Sequence, residues 1–198
     1  MPLDSLVAPL AAFLAPTSPL PPPPVQFHGQ GVVHTSIYAG LRSMRDDFEP
    51  ANEPWTLGIA LDIREPGRQT SLEIGYFYSE ADDDTRVGAS TIDVDNTVHE
   101  LWAGGRWAFD PWGGSLQPYL GLGGSLLYAE FETSGIGGED SNSGWAFGVY
   151  GHGGLDWKFA DDWSVGLDLR ALLTTQAKLQ REVPLDSLQA ALTLTWAW

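Results

Sequence analysis

From residue 33 onward apolar residues fall at every second position, in eight runs parted by turn-forming residues, and this period of two constrains the fold more than any other feature. A helix would place its apolar side chains about 3.6 residues apart, whereas a strand alternates them between two faces. The runs lie at 33–43, 55–64, 70–79, 97–110, 116–131, 145–159, 163–175 and 187–198. Most reach about ten residues, the length a tilted strand needs to cross a bilayer and longer than the ~5–6 usual in soluble sheets. With a mean hydropathy of -0.13 and no apolar run of about twenty residues after the N-terminus, a transmembrane helix is excluded. A spanning barrel is not, because strands that hide apolar residues at alternate positions average to neutral hydropathy.

The connections alternate in length. Those after the second, fourth and sixth runs are short and rich in turn residues: Glu65-Pro66-Gly67-Arg68-Gln69, Pro111-Trp112-Gly113-Gly114-Ser115 and Ala160-Asp161-Asp162. Those after the first, third, fifth and seventh are longer and mostly acidic, including 45–54, 80–96 and 132–144. An even number of strands returns both ends of the sheet to the side of the short turns. Residues 1–30 are a different kind of sequence. Leu3, Leu6, Val7, Leu10, Phe13 and Leu14 fall at helical spacing and run into Pro16, Pro19 and Pro21 to Pro24. This segment reads either as the remnant of a secretory signal, without its basic start, or as a Pro-rich tail, leaving 31–198 as one barrel domain.

Each strand has one face nearly free of charge. In the last, Leu188, Ala190, Leu192, Leu194, Trp196 and Trp198 oppose Gln189, Ala191, Thr193, Thr195 and Ala197; in the second, Trp55, Leu57, Ile59, Leu61 and Ile63 oppose Thr56, Gly58, Ala60, Asp62 and Arg64. A soluble ligand-binding barrel shows the same alternation turned inside out. Three features give the direction. Many of the 23 glycines, with Ala and Ser, lie on the polar face, as a narrow eight-strand interior demands. Charges of both signs occur on that face within the strands, so they can neutralise one another in a closed lumen. The aromatic residues of the apolar face sort by depth: Trp107, Phe109, Trp157, Trp163, Trp196 and Trp198 at the short-turn end, Trp55, Tyr76, Tyr78, Tyr128 and Trp145 at the long-loop end. Two aromatic girdles around an aliphatic band mark the two interfaces of a membrane.

With these strands and a terminal Trp198 preceded by Trp196, Leu194, Leu192 and Ala190 at alternate positions, residues 33–198 resemble the small bacterial outer-membrane β-barrel proteins of the OmpA-transmembrane-domain and OmpX type, the outer membrane protein beta-barrel family. The resemblance implies an all-β, eight-stranded antiparallel up-and-down transmembrane barrel in the bacterial outer membrane. The short turns then face the periplasm and the long loops the outside. It also implies that Trp198, Trp196, Leu194 and Leu192 form the signal read by the barrel-assembly machinery. Outer-membrane lipids and lipopolysaccharide are the implied partners, and a monomer is the expected state.

The inward set carries Arg42, Asp62, Arg64, Glu73, Glu100, Arg106, His152, Asp156, Lys158, Asp168 and Arg170, joined by His34, Tyr38, Trp102 and Tyr150. Buried charges must be paired, so these residues are expected to form an interior network. Asp62, Arg64 and Glu73, close together across the first short turn, are expected to meet in one cluster. An eight-strand lumen is just wide enough for side chains to fill, which disfavours the alternative of a narrow channel for small solutes or ions. His152 beside Asp168, Asp156 and Arg170 has the makings of an acid–base site but no nucleophile or cleft accompanies it. His99, near Thr97 on the outward face, is the one candidate for a lipid A-modifying enzyme, and the local His–Ser pattern of such barrels is absent. No enzyme activity and no cofactor are therefore expected.

The acidic loop residues Asp82, Asp83, Asp84, Asp93, Asp95, Glu139 and Asp140 read as solvated surface, with divalent bridging to lipopolysaccharide phosphates as the alternative; Asp93-x-Asp95-Asn96 lacks the glycine and later Glu of a calcium loop. A net charge of -16, with ten Lys and Arg residues that do not cluster, argues against a nucleic-acid partner. Without cysteine there are no disulfides and no thiolate metal sites. The expected role is structural or one of surface interaction.

Overall fold

The computed structural model describes residues 32–44, 53–87, 90–109, 114–135, 138–178 and 182–198. The tail at 1–30 and residues 45–52 of the first loop lie outside the described residues. There are ten strands among those described: β1 (Val32–Met44), β2 (Trp55–Arg64), β3 (Thr70–Val87), β4 (Ser90–Ala108), β5 (Leu116–Gly135), β6 (Gly138–Lys158), β7 (Trp163–Thr174), β8 (Gln176–Lys178), β9 (Glu182–Pro184) and β10 (Ser187–Ala197). Eight of them close an antiparallel barrel in the order β1-β10-β7-β6-β5-β4-β3-β2, while β8 and β9 pair with each other in the last loop. The eight-strand, up-and-down architecture is the one the alternation and turn spacing imply.

Closure is made by β10 against β1, in a register running from His34↔Ala197 to Met44↔Ser187. At the seam's periplasmic end Val33 N–H donates to Trp198 O at 3.2 Å and Trp198 N–H to Val33 O at 2.9 Å. A closed sheet has no free edge in the bilayer, where an unpaired peptide group costs several kcal/mol. Gly67 explains the tightness of the β2–β3 turn: its φ of 78° is easily reached only without a Cβ, and the turn closes with Arg68 N–H to Glu65 O at 3.1 Å.

The side chains face as a membrane barrel requires. Leu72, Leu122, Leu188 and Leu192 are 64–73% exposed, while Glu100, Asp168 and Arg42 are 0–1% exposed. A protein folding in water inverts that arrangement, because burying charge and exposing a continuous leucine surface both cost free energy. The outward band therefore faces lipid.

The structure corrects the loops. Of residues 80–96 and 132–144, expected as long acidic loops, all those described (80–87, 90–96, 132–135 and 138–144) are instead strand, so that β3 to β6 run to 18, 19, 20 and 21 residues and rise above the membrane as paired strands. Register persists to Val87↔Ser90 and to Gly135↔Gly138. Outside the bilayer no apolar face is demanded of a strand, so the apolar alternation disappears while backbone pairing continues. The side chains of Asp83, Asp84, Asp93, Glu139 and Asp140 lie outside the described residues.

Candidate functional site

Three tiers of polar side chains fill the lumen. In the upper tier Glu100 on β4 accepts from Arg42 on β1 through one carboxylate oxygen, and from Arg170 on β7 and Ser125 on β5 through the other. Arg42 also donates to Gln189 on β10 at 2.9 Å. The Arg170 guanidinium lies 3.7 Å from the Tyr150 ring centroid and 4.9 Å from that of Trp102, which gives its positive charge two π faces as well as a carboxylate. Two arginines on one carboxylate need this density of acceptors, because either left alone would be a buried unpaired charge.

In the middle tier His152 on β6 bridges two carboxylates, with Nδ1 2.8 Å from Asp168 and Nε2 2.8 Å from Glu73. Tyr119 donates to Asp168 at 2.7 Å and Tyr150 to Glu73 at 3.1 Å. Gly121 faces His152 across the strand pair, and a Cβ there would overlap Nε2. The lower tier pairs Arg106 with Asp156, the guanidinium lying 3.5 Å from the Tyr119 ring centroid, while Ser71 donates to Asp62 at 2.6 Å. At the periplasmic mouth His34, Arg64, Arg106, Asp156 and Lys158 line a recess of about 270 Å³, with Arg64 half-buried and Lys158 exposed.

Asp62, Arg64 and Glu73 do not form the expected cluster. Asp62 and Glu73 stand opposite each other in register, but Glu73 reaches across the lumen to His152 and Tyr150, and Asp62 turns to Ser71. The reason is the competition of stronger partners. In a lumen this narrow a side chain on the far wall is as near as one on the next strand, and a His between two carboxylates satisfies more buried oxygens. Tyr119, Ser125 and Gln189 join the tiers without having been singled out as candidates; their inward parity in the fifth and eighth runs was the available signal.

Beside Glu100 and above it the lumen gains apolar side chains, set among the buried polar Thr56, Ser79 and Asn96. Met44, Phe77, Val98, Leu127, Leu172 and Leu185 are buried together with Ala129 and Ala146. Outside, Trp55, Tyr76, Trp107, Trp145, Trp157, Trp163, Trp196 and Trp198 are exposed toward the interfaces, and Tyr78, Phe109 and Tyr128 are half-buried. Trp196 stacks on Trp163 at 6.0 Å, and Trp198 Nε1 donates to Thr35 at 3.1 Å across the seam. No helix among the described residues is long and apolar enough to cross a membrane, and no group of His, Asp and Glu among them is placed to hold a metal ion.

Residues 8–192 match the outer membrane protein beta-barrel domain. The chain belongs to that family. Its place is the bacterial outer membrane, which agrees with the outward leucines and the closed sheet. Similar solved structures share the fold at low identity. They include a major outer membrane protein of Thermus thermophilus (TM-score 0.60, 11% identity, 86% of this chain and 100% of that one). Others are Ail of Yersinia pestis (0.54, 14%, 85% and 99%) and Neisserial surface protein A (0.52, 13%, 84% and 95%). No curated protein matches this chain in sequence.

Proposed function

We propose that this barrel is a non-enzymatic, monomeric surface protein whose lumen is a stabilising plug and whose working surface is the raised β3–β6 sheet. The observation that carries the reading is the filling of the lumen. Glu100, His152 and Asp156 are each engaged by side chains from other strands, and Leu127, level with Glu100, and Leu172 above Arg170 are buried in a packed group with Phe77, Val98 and Met44 toward the extracellular end. An ion crossing this interior would have to break paired charges and then enter an apolar constriction, each step costly. The strands that rise above the bilayer carry most of the length the fold does not need for spanning, and such surface is where barrels of this size meet their partners.

Outer-membrane lipids and lipopolysaccharide surround the barrel in this reading, the assembly machinery reads the Trp198 strand, and nucleic acid plays no part. The Ail structure was solved with a heparin analogue; the raised sheet here carries Glu80, Asp82, Asp95, Glu130 and Glu132 on its outward face and would repel such a polyanion. The test is planar-bilayer recording of the full chain. The expected result is no stepwise conductance from wild type and its appearance in Leu127→Asp/Leu172→Asp. Stable single-channel steps from wild type would overturn the plug.

A further inference from the structure

Four rings stand side by side on the outward face at the extracellular interface, one from each of four adjacent strands. The register Tyr78↔His99↔Tyr128↔Trp145 sets them in a row, with centroid spacings of 5.4, 6.2 and 4.9 Å. Tyr76 completes the seat of His99, its hydroxyl 2.6 Å from Nδ1. Directly above the row, the next outward positions read Glu80↔Thr97↔Glu130↔Ser143. The two tyrosines are tied to that tier: Tyr78 donates to Glu80 at 3.0 Å and Tyr128 to Glu130 at 3.2 Å.

We propose that this row is a docking surface for the amine headgroup of an outer-leaflet lipid, with the ammonium held between ring faces and the Glu80 and Glu130 carboxylates. The height is right, because interfacial rings mark the headgroup level. The charge is right as well: in the ring row and the two outward tiers directly above it, which hold Glu80, Asp82, Asp95, Glu130 and Glu132, no Lys or Arg occurs, and Arg86 stands two outward positions beyond Asp82, so an anionic headgroup meets repulsion and a cation meets attraction from carboxylate and π face together. The tyrosine hydroxyls hold the two carboxylates beside the ring row. A single bound metal ion fits less well, since no three acidic or imidazole groups among the described residues come together to hold one. The next outward tier continues the acidic surface with Asp82, Asp95 and Glu132.

The proposal rests on the barrel standing in the membrane with its rings at the interface. The experiment reconstitutes the full chain in phosphatidylcholine vesicles and measures tryptophan quenching by brominated phosphatidylethanolamine against brominated phosphatidylglycerol. Each probe carries one phosphate, so the contrast reports the amine together with net charge. We expect wild type to favour the ethanolamine lipid several-fold. Glu80→Gln/Glu130→Gln and Tyr78→Leu/Tyr128→Leu should each bring the ratio close to one, while Asp161→Asn/Asp162→Asn, which removes two charges at the periplasmic turn, should leave it unchanged. Equal quenching in wild type overturns the proposal. So does a preference that survives loss of the tyrosine rings, a drop no larger with the glutamate pair than with the aspartate pair, or a preference for the glycerol lipid that appears on adding Mg²⁺. Heat-modifiable migration reports insertion separately, so a chain that inserts without preference sinks this proposal alone, and one that does not insert strikes the membrane reading.

Discussion

Glu100 is the residue on which the lumen is most exposed to a single change. Replacing it with Gln keeps the shape and removes the charge that Arg42 and Arg170 share, at a site where all three side chains are 0–2% exposed. The two guanidinium groups sit on the two oxygens of one carboxylate, and unit charges on the order of 5 Å apart at an effective dielectric of about 20 repel by about 3 kcal/mol. Losing half of a buried ion pair costs about 3–5 kcal/mol in proteins where it has been measured. The Tyr150 and Trp102 rings over Arg170 recover about 1–2 kcal/mol of this. The net expectation is a loss of about 1–4 kcal/mol. Arg170→Met is the informative companion, since it leaves Glu100 neutralised by Arg42 and bonded to Ser125, and should cost about 1–3 kcal/mol. The assay is urea unfolding in lipid vesicles, followed by tryptophan emission. A Glu100→Gln barrel within about 1 kcal/mol of wild type, or one more stable than Arg170→Met, would refute the claim that this carboxylate holds the upper tier.

On the lipid face, Leu167→Arg and Leu192→Arg, opposite each other on β7 and β10 and 48% and 64% exposed, should each cost about 2–4 kcal/mol, with inward Thr193→Ser close to neutral; the same unfolding assay ranks them, and the reverse order would contradict the outward assignment. Deleting 196–198 removes both backbone bonds between Val33 and Trp198 and the Trp198–Thr35 contact, so outer-membrane insertion should be lost while synthesis continues, as read by cell fractionation; normal levels in the outer membrane would count against the terminal strand as a signal. Gly121→Ala drives a methyl group into His152 Nε2 and should destabilise by about 1–3 kcal/mol, whereas Gly105→Ala, whose Cβ would have nothing nearer than 3.8 Å, should stay within about 0.5 kcal/mol.

Strand number, handedness of the alternation and closure are legible in the sequence because each rests on a local rule. A side chain on the wrong face of Trp55–Arg64 or Ser187–Ala197 would put a leucine in the lumen or an arginine in lipid, so the period of two is enforced at every position within the bilayer. Where that enforcement ends, legibility ends too. Asp82 to Val87 pair with Ser90 to Asp95 residue by residue, yet nothing in their hydropathy separates a paired hairpin from a coil, because the run Asp82-Asp83-Asp84-Thr85-Arg86-Val87 carries no apolar alternation. Partner choice in the lumen is hidden for a different reason. Parity puts Glu73 inside, but only the three-dimensional width of the barrel decides that it meets His152 across the lumen rather than Arg64 on the neighbouring strand. Tyr119 is hidden in the same way: its ring covers Arg106 of the adjacent strand while its hydroxyl reaches past β6 to Asp168 on β7, and only the folded barrel brings the two together.

The distribution of charge connects the lumen to the surface. Four buried or half-buried arginines, Arg42, Arg64, Arg106 and Arg170, face five buried carboxylates, Asp62, Glu73, Glu100, Asp156 and Asp168, and His152 stands between two of the five. The interior is thus close to neutral, as a low-dielectric space requires, and nearly the whole formal charge of -16 must lie outside it. The lipid-facing band takes none of this charge, because a carboxylate in hydrocarbon is expensive. What remains are the rims and the raised hairpins. A few of these charges sit at periplasmic turns, at Glu65, Asp161 and Asp162, but the outward faces of β3, β4 and β5 collect Glu80, Asp82, Asp95, Glu130 and Glu132 within three adjacent strands. The physical demands of lumen and membrane therefore push much of the acidity of the chain to the place where the sheet projects from the cell, and a partner attracted there by charge alone would be positive or arrive with cations of its own.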